Sequence, residues 1–361
     1  MSDAPASSAG GAARATCSYE GAGATRVYGE AGDVAAEWAI LDCAAGVLDS
    51  GWRRFFPASG DERREFLHGQ TTAHVKSLAA GDGAAALALT AQGKPLAIFA
   101  LYESGERLWI STTAAQAAAT RAALSRFLVA DDCDFEDEVH ASCTTVAGPR
   151  AAQVLAAAGV AQLPDRWGTC SAIIAGQPVM VFARDDLRVP SFDVLACDGD
   201  GLASDGEAVR RAIEAAGAGR CGVAALEIVR VESGTARFGV DVDETRLVVE
   251  ARLEWAIHFA KGCYVGQEVV ERAVSRGRIN HELCLLKLSG DAAPGARMEG
   301  GGENDVVTSV VDSPRLGKIA LAYVPRTKAE AGTAVTLLAD GANVDAVVLP
   351  WPRKRTLAGR S

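Results

Sequence analysis

Apolar residues in this chain come mostly in short runs broken by turn residues. "AAALALT" (84–90), "LAIFALYE" (96–103) and "RLWISTT" (107–113) have the length and bounding of successive strands, and Gly93 and Gly105 punctuate them. The pattern then changes period. "AAQAAATRAALSRFL" (114–128) reads as a helix with Leu124, Phe127 and Leu128 on one side. Upstream, "ERREFLHGQTTAHV" (62–75) begins as a helical turn carrying Phe66 and Leu67 and breaks at Gly69.

The same texture partly recurs. "GPRAAQVLAAAG" (148–159) predicts a helix stopped by Gly159, "SAIIAGQPVMVFAR" (171–184) a hairpin turning near Gly176, and "SFDVLAC" (191–197) a further strand. "SDGEAVRRAIEAAGA" (204–218) predicts a helix capped by Ser204 or Asp205 and ended by Gly217. Strand pairs followed by helices imply an α+β body of antiparallel sheets with helices on one face. After about residue 280 the texture is all short strands, as in "LCLLKLSG", "GKIALAYV" and "NVDAVVLPW". That predicts a small C-terminal β-barrel or sandwich. The division expected is a disordered tail over 1–30, an α+β body over 31–280 and a β module over 281–361.

Composition narrows the classes. The chain has 361 residues, 49% of them hydrophobic, enough for two or three cores. No apolar run is long enough to span a membrane, and the N-terminus lacks a secretory pattern. A net charge of −10 argues against direct nucleic-acid binding, which needs a basic face. The tail "PRKR" (352–355) reads as a solvated end. Nine cysteines with no C-x-x-C pair argue against a disulfide framework and a metal site, and fit reduced thiols in the cytoplasm. No surplus apolar stripe remains, so a monomer is expected.

One cysteine stands apart. In "KGCYVGQE" (261–268), Gly262 and Gly266 bracket Cys263 and permit backbone angles closed to other residues. "QEVVERAV" then has helical spacing, with Gln267 and Glu268 in the first turn. Cys263 lies just ahead of a helix N-terminus and beside Lys261. Both features favour the thiolate, and free amides there suit an anionic group. A turn cysteine with a small side chain fits the same residues. His258 and His281 flank the motif without an evident partner, which gives a cysteine-hydrolase mechanism little support.

The octet, with Tyr264 after the cysteine, resembles the signature of the YgfZ/GcvT-like folate-binding proteins, a group that includes iron–sulfur cluster assembly factors. "LEIVRVESGTARFGVDVDETRLVVEARL" (226–253), "FLHGQTT" (66–72), "LTAQGKPLA" (89–97) and "VTSVVDSPRLGKIALAYV" (307–324) are similar to further family segments and occur in the family's order. The resemblance implies a three-part body around a central opening that binds tetrahydrofolate. Such a site needs apolar walls, a few polar groups and cations for the carboxylate tail. Arg230 is the best cation candidate and Glu232 is counted with it among the folate-binding residues, with an internal pair of Arg230 to Glu232 or Asp241 as the alternative. Gln70, Thr72, Gln92 and Lys94 are candidate polar liners, and each also fits ordinary turn chemistry.

The sequence departs from the aminomethyltransferases of the same superfamily. Their G-G-x-x-D-D segment corresponds to Gly93, Lys94, Pro95, Leu96, Ala97 and Ile98, without either aspartate. Their pterin-holding G-E-D-G-x-E segment corresponds to "RVPSFD" (188–193), without the first glutamate. Ala, Ile or Val cannot accept a proton in place of a carboxylate. The resemblance therefore implies a folate-binding factor for maturation or repair of iron–sulfur enzymes, with Cys263 essential and Lys261 assisting. Its partners would be folate and iron–sulfur enzymes or their assembly proteins, and effects on tRNA modification would be indirect. A tetrahydrofolate-dependent one-carbon transferase or demethylase is the alternative.

Overall fold

The computed structural model describes residues 32–276, 279–339 and 341–353, together with a short pair of strands, Ser18–Tyr19 and Arg26–Val27. Apart from that pair, the tail expected over 1–30 lies outside the described residues. Among the described residues seven α-helices follow one another: α1 (Val34–Cys43), α2 (Arg63–Gln70), α3 (Ala117–Ser125), α4 (Ala151–Ala158), α5 (Gly206–Ala215), α6 (Val223–Glu232) and α7 (Gln267–Arg276).

Three sheets carry the fold, which is α+β. The first is antiparallel and runs Gly83–Leu89, Pro95–Glu103, Leu108–Thr113, Arg53–Ser59, Asp134–Phe135. The second runs Thr169–Ile174, Gln177–Arg184, Ser191–Leu195, Cys143–Ala147, Gly46–Asp49, Gly219–Arg220, antiparallel except for its last, parallel pair. The strand Gly46–Asp49 thus precedes the first sheet in sequence yet belongs to the second. Phe55, Tyr102 and Trp109 of the first sheet share a buried cluster with Met180 and Phe182 of the second. The Phe55 and Phe182 rings stack with centroids 4.8 Å apart.

The third sheet is antiparallel and holds the C-terminal strands His281–Leu288, Val307–Ser313, Gly317–Pro325, Ala334–Ala339 and Ala342–Val348, with Arg297–Met298 at one edge. A bridge between Arg297 and Val306 brings its two edges together. One face of this curled sheet buries Leu283, Leu285, Leu321 and Tyr323 against Val242, Leu253 and Tyr264 of the body. The C-terminal sheet therefore shares a core with the body.

Local signals account for most element ends. The Asp205 carboxylate accepts from the amides of Glu207 and Ala208, and Gly217, at φ +109°, ends α5. Two expectations change. α2 continues through Gly69 to Gln70, because its core face, Phe66 and Leu67, is seated under the first sheet and outweighs one glycine. α3 ends at Ser125, so Phe127 falls beyond the helix and is 47% exposed.

Candidate functional site

A cleft of about 920 Å³, its open mouth included, lies where the two body sheets meet α6. Ile98, Phe99 and Ala100 form one apolar wall, and Trp167 and Trp255 supply aromatic surface. These two indoles lie nearly parallel, 8° apart with centroids at 5.9 Å. Trp167 sits at φ +56°, a backbone state that costs a bulky residue free energy and persists only where its surroundings enforce it. Its carbonyl occupies the space a Cβ at Gly83 would need, so the aromatic wall is seated directly on the first strand of the sheet.

The polar wall is a chain of alternating charges. Asp193, fully buried, receives Arg53 at 3.0 Å and Arg184 at 3.3 Å, and Arg184 also grips Asp186 at 2.5 Å. Burial works against the charge on Asp186, but Arg184 overrides it and holds the carboxyl below the usual range. Arg230 lies on α6. It is bidentate to Glu227 at 2.7 and 2.8 Å and donates to Asp241 at 2.6 Å and to Ser309 at 2.8 Å. Its guanidinium is already neutralised inside the protein, though it borders the cleft. Arg237, half-buried, reaches Glu227 at 3.3 Å and borders the cleft as well.

The Cys263 loop forms a second locus. Cys263 and Gly262 are exposed, just ahead of α7. Gly266 sits at φ +82°, and a Cβ there would collide with the Thr90 carbonyl, so the turn 90–93 abuts the loop and requires glycine. Tyr264 is buried, and burial pushes its hydroxyl pKa up. Glu268 is exposed and pairs with Arg272 one turn on, while Gln267 is half-buried at the start of α7. Lys261 does not flank the thiol as a free cation. It is buried, and its Nζ donates to the carbonyls of His68 and Thr71 at the end of α2. Burial pushes its pKa down to about 7. Lys261 thus ties the loop to α2.

Three histidines lie below this loop. The His68 and His74 rings are 4.9 Å apart and those of His74 and His258 5.0 Å apart. The Nδ1 atom of each is buried without a partner among the described residues. No group of histidine, cysteine and acidic side chains among the described residues is placed to hold a metal ion. Burial first, then Lys261 and His74, lowers the His68 pKa to about 4. The unfolded chain, with an ordinary histidine near 6.5, binds more protons between those values. Stability is therefore expected to fall as pH drops from about 6.5 to about 4, and His68→Gln to flatten that fall. Urea denaturation of both proteins across this window checks it; equal slopes would assign the acid sensitivity elsewhere.

The remaining expected site residues lie outside this cleft. Glu232 faces away from the cleft and accepts from Trp38, from Arg188 at 2.7 Å and from Ser313 at 2.5 Å. Thr72 is buried and bonds the Ala256 carbonyl and the Leu87 amide. Gln70 closes α2, and Gln92 and Lys94 belong to the turn beneath α7. None of these five lines the cleft. The 66–72 and 89–97 motifs instead pack against the Cys263 loop. His281 lies apart, with its Nδ1 2.6 Å from Asp305 in the C-terminal sheet. Sequence reasoning missed His68, His74, Arg53, Arg184 and Asp186. Arg184 and Asp186 are close in sequence, but no local spacing links the other three to their partners.

A model of the GCVT N-terminal domain matches residues 20–261. The putative transferase At1g60990, chloroplastic, of Arabidopsis thaliana is 26% identical over 311 residues, covering 81% of this chain and 68% of that protein. An aminomethyltransferase of Nostoc sp. is 26% identical over 332 residues, covering 87% and 85%. The glycine cleavage system aminomethyltransferase T from Bartonella henselae superposes with a TM-score of 0.80 at 20% identity, covering 93% and 94%, a likeness of fold.

Proposed function

Because the chain belongs to the GCVT N-terminal domain family, we propose that its cleft binds a reduced folate and that the protein serves the maturation or repair of iron–sulfur enzymes without transferring an aminomethyl group. The observation that carries this reading is Ile98. It stands on the cleft wall at a position where the resemblance to the transferases calls for an aspartate. An aliphatic side chain there can pack against a pterin ring but cannot take a proton. Tetrahydrofolate is the ligand expected from the family, with Arg237 the cation best placed for its carboxylate tail. Cys263 is the working thiol. One cysteine cannot hold a common cluster, which takes about four ligands, so its contact with an iron–sulfur client is transient or shared.

A one-carbon transferase is the second reading, favoured by Asp186, whose carboxylate borders the cleft. Its pairing with Arg184 keeps it ionised and makes it a weak base.

Anaerobic calorimetric titration with tetrahydrofolate tests the first reading. Arg237→Ala is expected to weaken binding about tenfold, the loss of one charge-assisted contact of about 1.4 kcal/mol. Absence of binding to folded wild-type protein would remove the folate from the proposal. Release of ammonia from an aminomethylated lipoyl carrier with tetrahydrofolate present would put the transferase reading first.

A further inference from the structure

The end of the described chain does not trail into solvent. After the last strand, the Leu349 amide bonds the Leu285 carbonyl, and the segment then crosses from the C-terminal sheet back to the body. Trp351 and Pro352 seat against Gly234, where an added Cβ would lie 2.8 Å from the indole. The Arg252 guanidinium lies 4.6 Å from the Trp351 ring centroid. Arg353, from the stretch expected to be solvated, is only 15% exposed. Its Nη2 donates to the Asp185 carbonyl at 2.6 Å, and its guanidinium covers the Trp255 ring at 4.6 Å.

Each anchor adjoins the cleft. Asp185 precedes Asp186, Gly234 precedes Thr235, and Trp255 is itself on the wall. Trp255 thus contacts both Arg353 and Trp167. The Arg353 contact is strong in geometry and weak in charge. Arg353 Nη1 is buried without a hydrogen-bond partner among the described residues. The Asp185 carboxylate is 3.7 Å away and is shared with Arg166. A guanidinium buried over an aromatic face, with only part of its donors met, stabilises that face without locking it.

We infer that Arg353 is a positioning residue for the cleft: it holds Trp255 parallel to Trp167, so the C-terminal segment Trp351–Arg353 acts as a releasable strap on the ligand site. The inference rests on the folate reading only for the identity of the ligand. Its test uses the full-length protein with Arg353→Gln, Arg353→Lys and, as a reference, Trp255→Phe. Two stacked indoles couple excitonically, and the far-ultraviolet circular dichroism couplet they give is set by the angle between their transition dipoles, so a displaced Trp255 changes it. That couplet is expected to vanish in Trp255→Phe, to fall by at least half in Arg353→Gln and to survive in Arg353→Lys, which keeps the cation. The unfolding midpoint should stay within about 2 °C, since the strap's other anchors remain. Tetrahydrofolate binding should weaken about tenfold in Arg353→Gln, corresponding to about 1.4 kcal/mol. An unchanged couplet in Arg353→Gln would overturn the inference, as would equal loss in Gln and Lys variants accompanied by a large fall in the midpoint. If wild-type protein binds no tetrahydrofolate, the folate reading fails while the couplet still decides the role of Arg353.

Discussion

Cys263→Ser is expected to fold like the wild type, bind tetrahydrofolate with unchanged affinity and fail to complement a strain lacking the native factor. The side chain is exposed and makes no bond within the described residues that the change would break, so the stability effect should stay within about 0.5 kcal/mol. Serine keeps the shape and removes the soft nucleophile. The loop itself is held elsewhere, by Lys261 on the α2 carbonyls and by Gly266 against Thr90, so its geometry survives the change. Growth and the activity of an iron–sulfur enzyme that depends on the factor are the measurements. Cys43, the other exposed thiol among the described residues, is the control, and Cys43→Ser should be silent. Full complementation by Cys263→Ser would end the thiol role.

The largest stability loss is expected at Asp193. Asp193→Ala leaves the guanidiniums of Arg53 and Arg184 on the cleft wall without their shared buried carboxylate, and it strips an acceptor from Thr145. Breaking a buried pair by removing one partner costs about 3–5 kcal/mol, because the remaining charge is still desolvated. Here two cations lose the same partner, so a value at the upper end is expected from denaturant unfolding. Asp193→Asn keeps the shape and two acceptor lone pairs and should cost less. A loss below about 1 kcal/mol in the alanine variant would show that solvent in the cleft already screens these charges. Arg184 retains Asp186, so the residual wall should remain partly ordered and folate affinity should fall rather than vanish.

Much of the scaffold was legible in the chain. The strand runs at 84–103 and 107–113, the capped helix α5 and the all-β C-terminal stretch follow from periods of two and 3.6 residues and from turn glycines, which act over a few residues. The placement of Cys263 ahead of α7 was readable for the same reason. The pairing of Gly46–Asp49 with Cys143–Ala147 and Gly219–Arg220 was not, because a strand's alternation carries no address for its partner. The polar site residues followed the same divide. Thr72 and Lys94 stand out in short motifs, but those motifs pack around the thiol loop, and the cleft is built from other segments.

By itself the sequence determined the class of the fold, the thiol in its glycine-bracketed loop and the missing aspartates beside Gly93, all of which depend on neighbouring residues. Only the tertiary structure decided which charges are free. Arg230 is neutralised by Glu227 and Asp241, Lys261 caps a helix from another part of the chain, and Arg353 lies on Trp255. The physical reason is that a charge's availability is set by its desolvation and by the partners within a few ångströms. Those partners are brought together by long-range packing, which leaves no period in the sequence.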